Sequence, residues 1–76
     1  MMYTLYFYYH NGETIHKEVI MFSDERDACM AAMSRDIKMR GYEEPRYFRM
    51  WQSTSDPKET MIDFGSWSKF YILRED

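Results

Sequence analysis

Through the first two dozen residues the side chains follow a period of two, the spacing of a strand, but large apolar groups occupy both phases of the alternation. Met2 to Tyr9 is an aromatic, β-prone run. His10, Asn11 and Gly12 follow, and a second run extends from Glu13 to Phe22. The Asn-Gly pair favours a two-residue type I′ turn, but that register sets Leu5 against Glu18 and Phe7 against His16 on one face, which the hydrophobic pattern rejects. A three-residue loop of His10, Asn11 and Gly12, with Gly12 in the left-handed position of a G1 bulge, instead aligns Phe7 with Ile15 and Tyr3 with Val19. The expected core face is then Tyr3, Leu5, Phe7, Tyr9, Ile15, Val19 and Met21. Thr4, Tyr6, Tyr8, His16 and Glu18 point the other way, and Lys17 snorkels from the core face to an edge.

At Ser23 the period changes. Ser23-Asp24-Glu25-Arg26-Asp27 supplies capping oxygens and first-turn acids, and Cys29, Met30, Met33 and Ile37 share one stripe at helical spacing, with Arg35 and Lys38 opposite. Lys38 and Arg40 suit the C-terminal end of the dipole, and Gly41 is a left-handed stop. After Tyr42, Glu43, Glu44 and Pro45, the segment Arg46 to Thr54 alternates strictly, with Phe48 and Met50 on one side and Tyr47, Arg49 and Trp51 on the other. Ser55-Asp56-Pro57-Lys58 has turn chemistry, Thr60 to Phe64 reads as a strand, and Gly65-Ser66 leads into a last strand from Trp67 to Arg74. A three-residue final turn places Ile62 against Phe70 and Thr60 against Ile72 on the core face. Met61, Asp63, Lys69, Tyr71 and Leu73 then lie outside.

These elements predict a single domain over residues 1–76, an α+β fold in the order ββαβββ: an antiparallel sheet with one helix packed on one face. A helix of about 17 residues is about 25 Å long and covers one side of a sheet. Seven Tyr, five Phe and two Trp are more than that side can absorb. Aromatics on the uncovered side must meet water or a partner. The candidate partner-binding set is Tyr6, Tyr8, His16, Tyr47, Arg49, Trp51 and Tyr71, rich in the residue types that dominate interface hot spots. Taken singly, each is also explained by β-propensity and cross-strand pairing.

Composition narrows the function classes. At 9.4 kDa the chain is expected to expose about 5,000 Å² folded against about 13,600 Å² unfolded, so its core is thin and a partner or a second copy adds to its stability. Ten Lys and Arg against 13 Asp and Glu give a formal charge of -3, which argues against general nucleic-acid binding, although an aromatic sheet face with an Arg is also the form of a single-stranded nucleic-acid platform. Absence of a leader and of a long apolar run predicts a soluble cytoplasmic protein with no membrane contact.

Catalytic and cofactor signatures are absent, so the chain reads as non-enzymatic, with no cofactor and no metal. His10, His16 and Cys29 fall on different parts of the expected fold and do not converge on a metal or form a nucleophile pair. Asp63-Phe64-Gly65 matches the magnesium-binding triplet of kinases, but a chain this short has no room for the other kinase elements, and the triplet reads as a turn. Asp24, Glu25, Asp27, Glu43 and Glu44 lie near the helix ends. They read as capping and solubilising groups, or as an acidic rim that imitates phosphate spacing toward a nucleic-acid-binding host protein.

The stretch Met61-Ile62-Asp63-Phe64-Gly65-Ser66-Trp67-Ser68-Lys69-Phe70-Tyr71-Ile72 resembles the ends of small orphan proteins of phages and prophages, where an acid, an aromatic, Gly-Ser and Ser-x-aromatic recur. The resemblance is confined to this stretch. It implies a host-takeover or anti-defence product, a class that includes inhibitors of host nucleases and anti-CRISPR proteins, acting in the bacterial host's cytoplasm. The expected function is therefore that of a small interaction module that inhibits or modulates a host protein or complex, such as a defence nuclease or CRISPR–Cas component, by surface occlusion. A homodimeric structural protein burying its aromatic sheet face and a single-stranded nucleic-acid-binding module are the alternatives.

Overall fold

The computed structural model describes residues 1–42, 48–66 and 68–76. Within them the order is β1 (Tyr3–Asn11), β2 (Thr14–Ser23), α1 (Arg26–Met39), β3 (Arg49–Gln52), β4 (Glu59–Asp63) and β5 (Lys69–Glu75). The strands form one antiparallel sheet in the order β2-β1-β5-β4-β3. The helix lies on one face, against β1 and β2. This is the expected α+β architecture of ββαβββ order with one helix on one face.

The first hairpin takes neither of the turns considered from sequence. Asn11 pairs with Thr14, leaving Gly12-Glu13 as the loop. Gly12 has φ 66 and no described non-glycine residue has a positive φ, the combination that defines a type II′ turn. Phe7 therefore faces Glu18 and Tyr9 faces His16. The polar partner is accommodated because Arg40 Nη2 donates to Glu18 Oε2 at 2.7 Å while its guanidinium carbon lies 3.9 Å from the Phe7 ring centroid. Between Leu5 and Tyr6 the register shifts, with Leu5 opposite Met21 and Tyr6 opposite Val19, so Ile20 is the extra residue of a β-bulge. Ile20 and Met21 both pack against the core. Up to Val19 the turn exchanges the expected faces of β2, so that Ile15, Lys17 and Val19 point away from the helix and His16 and Glu18 lie on the helix side, while the bulge returns Met21 to its expected core face.

A second register difference, of one residue, governs β5. Ile62 pairs with Tyr71 and Thr60 with Leu73, because the connection after Asp63 is longer than three residues. Gly65 has φ 93 in it, and Asp63 Oδ1 accepts the Gly65 N–H at 2.9 Å. A slip of one residue moves every side chain to the other face. Tyr71 and Leu73, expected outside, are buried in the core, whereas Phe70 and Ile72 point away from the helix.

Cys29, Ala32, Met33 and Ile37 form the buried stripe of α1, close to the sequence expectation. The helix is 14 residues rather than about 17. Ser23 Oγ accepts the Glu25 N–H at 3.0 Å just before the first turn. At the other end Gly41, at φ 79, closes a Schellman motif: the Gly41 N–H reaches Lys38 O at 3.0 Å and the Tyr42 N–H reaches Ile37 O at 3.2 Å. The turn before β4 also follows expectation, with Pro57 second in an Asp56-to-Glu59 turn closed by Glu59 N–H to Asp56 O at 3.0 Å. Strand β3 covers only the middle of the expected Arg46–Thr54 run, and Arg46, Tyr47 and Trp67 lie outside the described residues.

Leu5, Phe7, Ile62, Tyr71 and Leu73 meet the helix stripe to form the core. Tyr71 is its largest fully buried side chain. Its ring lies 5.0 Å from Phe7 and 5.6 Å from Phe64 between centroids, and its hydroxyl donates to Asp36 Oδ2 at 2.6 Å. The same oxygen accepts Arg40 Nε at 2.6 Å. Burial first, and the Asp36 carboxylate second, push the Tyr71 phenol above its ordinary value of 10.0. The folded state therefore holds a proton that the unfolded chain releases. The resulting stability is fully present below pH 10 and is lost as pH rises beyond it. Tyr71→Phe is expected to cost about 1–2 kcal/mol at neutral pH by removing this hydrogen bond. It should also flatten the alkaline decline, as read by thermal melts from about pH 8 to about pH 11.

Candidate functional site

The face of the sheet away from α1 carries no covering layer among the described residues. Register makes it a set of rows. Val19 lies opposite Tyr6, Tyr6 opposite Ile72, Ile72 opposite Met61 and Met61 opposite Trp51, so one apolar row crosses the whole sheet. Beside it Lys17, Tyr8 and Phe70 form a second row, which the same registers continue toward Asp63 and Arg49 on β4 and β3. On the other side run Phe22, Thr4, Arg74 and Glu59. The centre of the face is closed by its own neighbours, with Ile72 only 6% exposed, while the margins stand open, with Val19 60% and Trp51 49% exposed.

The rings on this face are held in place. Tyr8 stacks on Phe70 at 5.2 Å and 6°, and Tyr6 meets Tyr8 edge-on at 6.2 Å. The Lys17 ammonium sits 4.2 Å from the Tyr6 centroid and 5.8 Å from that of Tyr8. Aromatic groups fixed before contact lose little rotamer freedom on binding, which is how a flat surface gains affinity without deep pockets.

Charges on the face are largely compensated within it. Arg49 Nη2 contacts Asp63 Oδ2 at 2.7 Å. Arg74 contacts Asp56 at 2.6 Å, Glu59 at 3.3 Å and Asp76 at 3.1 Å. The Arg74 guanidinium, first of all, holds the Asp56 carboxyl below its ordinary value. A phosphate backbone needs cations free to replace its counterions, and Arg49 and Arg74 are both occupied by carboxylates here.

Tyr6, Tyr8, Arg49 and Trp51 thus stand together on the outer face as expected. His16 does not: it is on the helix side, its ring stacked on Tyr9 at 4.6 Å and 10°. Tyr71 is inside the core, and Tyr47 lies outside the described residues. Sequence reasoning placed Met61 outside without joining it to the set, and missed Ile15, Val19, Phe22, Phe70 and Ile72, although Ile15-x-Lys17-x-Val19 was a readable alternation once the turn was known. Cys29 is buried, and desolvation raises its thiol pKa, so it behaves as a small apolar group. Asp63-Phe64-Gly65 is the turn described above.

On the opposite side of β2 a groove of about 340 Å³ runs between the strand and α1, lined by Glu18, Ile20, Met21, Arg35, Asp36 and Met39 among others. Its carboxylates are engaged: Glu18 with Arg40, and Asp36 with Arg40 and Tyr71. No helix among the described residues is long and apolar enough to cross a membrane.

The Gly65 N–H and then Arg49 hold the Asp63 carboxyl below its ordinary value of 3.8, with burial pulling the other way. The stability this supplies is present above that value and disappears as pH falls below it. Asp63→Asn is expected to flatten part of the acid decline of wild type between about pH 5 and about pH 2.5 in urea titrations. Because Arg49 is largely exposed, the effect should stay below about 1 kcal/mol.

No protein-family model, curated protein or solved structure matches the chain.

Proposed function

We propose that the protein is a non-enzymatic interaction module that occludes a surface of a host protein with the outer face of its sheet. The observation that supports this reading best is the uninterrupted apolar row from Val19 to Trp51, flanked by prestacked rings and by charges already neutralised in place. Such a surface can be desolvated at low cost because it carries few unpaired polar groups. Its flatness suits another protein better than a small molecule, which needs concavity. The phage-type stretch from Met61 to Ile72 favours a bacterial partner, with a defence nuclease or CRISPR–Cas component as the class to examine first.

Occupied guanidinium groups and a formal charge of -3 weigh against a nucleic-acid ligand. The deciding experiment is affinity purification from bacterial lysate with mass spectrometry, comparing wild type with Trp51→Ala and Tyr8→Ala. A specific partner is expected to be retained by wild type and weakened about tenfold or more by each substitution, the size of an interface hot spot. Partners held equally by all three proteins would overturn the reading.

A further inference from the structure

The outer face is complementary to itself. Strand β5 is central, with β1 and β2 on one side and β4 and β3 on the other. A two-fold axis laid along β5, parallel to the strands and above the outer face, places β2 of one copy over β3 of another and β1 over β4. Rotation about such an axis keeps each residue's height along the strands. Every row therefore meets its own reversed image.

We infer that two copies of the chain close face to face around this axis, burying the row Val19–Tyr6–Ile72–Met61–Trp51 against its counterpart. The inference rests on the outer face being the protein's contact surface, and it names a second copy as the occupant in the absence of a host partner. Val19, one of the most exposed apolar side chains of the face at 60%, meets the second copy's Trp51, another exposed one at 49%. Tyr6 meets Met61, and Ile72 meets itself on the axis. In the neighbouring row Tyr8 comes over the second copy's Asp63 and Lys17 over its Arg49, a guanidinium whose charge Asp63 already neutralises at 2.7 Å. The arrangement is isologous, so each of these contacts is made twice.

Area favours the same occupant. Five strands about 4.8 Å apart and about seven residues long give a face of roughly 24 by 23 Å, about 550 Å² in projection and more with side-chain relief. Specific interfaces begin near 600 Å² per partner. A face of this size supports a weak, reversible dimer. The isolated chain exposes 5347 Å², more than the roughly 5,000 Å² typical of a folded monomer of this mass. Two sheets packed face to face at about 10 Å form the ordinary core of a sandwich, in which each copy supplies the layer the other lacks.

Sedimentation equilibrium of the full chain, from about 10 to about 500 µM, tests this. Wild type is expected to move from 9.4 kDa toward twice that mass. Val19→Asp and Trp51→Lys should each weaken association at least tenfold with unchanged far-UV circular dichroism. Because the two positions oppose each other across the axis, the double variant Val19→Asp/Trp51→Lys should regain association over either single one. A mass of 9.4 kDa at every concentration, association that neither single substitution weakens, or a double variant no tighter than the weaker single one would each overturn the pairing. The two readings fail separately. A monomeric wild type that still captures a Trp51-dependent partner removes the dimer alone, and a dimer without such a partner removes the host-binding role alone.

Discussion

The hydrogen bond from Tyr71 to Asp36 decides which side of this sheet becomes the inside. Both faces of β1 and β5 are apolar enough to be covered, so hydrophobic burial alone hardly distinguishes them. A polar tie does. Asp36 sits on the inner side of α1 near its C-terminal end, and its Oδ2 receives both the Tyr71 hydroxyl and Arg40 Nε, each at 2.6 Å. Arg40 then reaches Glu18 on β2. Helix, central strand and edge strand are clamped through one carboxylate and one guanidinium. Were Phe70 and Ile72 turned inward instead, Asp36 would keep only Arg40 and the charge-assisted Tyr71 bond would be lost, a cost of about 1.5–3 kcal/mol.

What the clamp leaves open follows from size. Fourteen helical residues extend about 21 Å, enough to cover β1 and β2 and their contacts with β5 but not β3. Met50, on the helix side of β3, remains 48% exposed. With one helix spent on the inner face, nothing in the described chain can shield the outer one. The fold is thus a sandwich with one layer missing, and the central outer row from Val19 to Trp51 has the composition of the interior of a two-layer domain.

The parts of the fold that the sequence made legible are those whose pattern is one-sided. Cys29, Met33 and Ile37 recur at helical spacing against charged neighbours, Gly41 could only end the helix, and Asp56-Pro57 could only turn. Facing was not legible where polar markers were missing. Phe70-Tyr71-Ile72-Leu73 has no polar residue to point outward, so its assignment hung on one turn length, and the longer Gly65 connection reversed it. On β2 the two-residue Gly12-Glu13 turn reversed Ile15 to Val19, and the bulge at Ile20, hidden because Val19, Ile20 and Met21 are all apolar, returned Met21 to the core. Tyr6, Tyr8, Arg49 and Trp51 were placed well because β1 and β3 keep their phase from end to end. Glu18 misled most: a carboxylate on the helix side is tolerable only because Arg40, distant in sequence, meets it there.

Sheet edges could also have served as meeting surfaces, yet both are guarded. Strand β2 is ten residues long, the kind of edge that recruits another strand. Antiparallel pairing of two β2 strands places side chains of the same face opposite one another, and registers centred on the strand put Lys17 against Lys17 or Glu18 against Glu18, a like-charge contact. The bulge at Ile20 interrupts the ladder beyond that centre. Strand β3 is only four residues long and offers few free backbone groups. Face-on contact brings Lys17 over Arg49 and Arg74 against its own copy, but both guanidinium groups are already paired with carboxylates, and Lys17 lies over the Tyr6 ring.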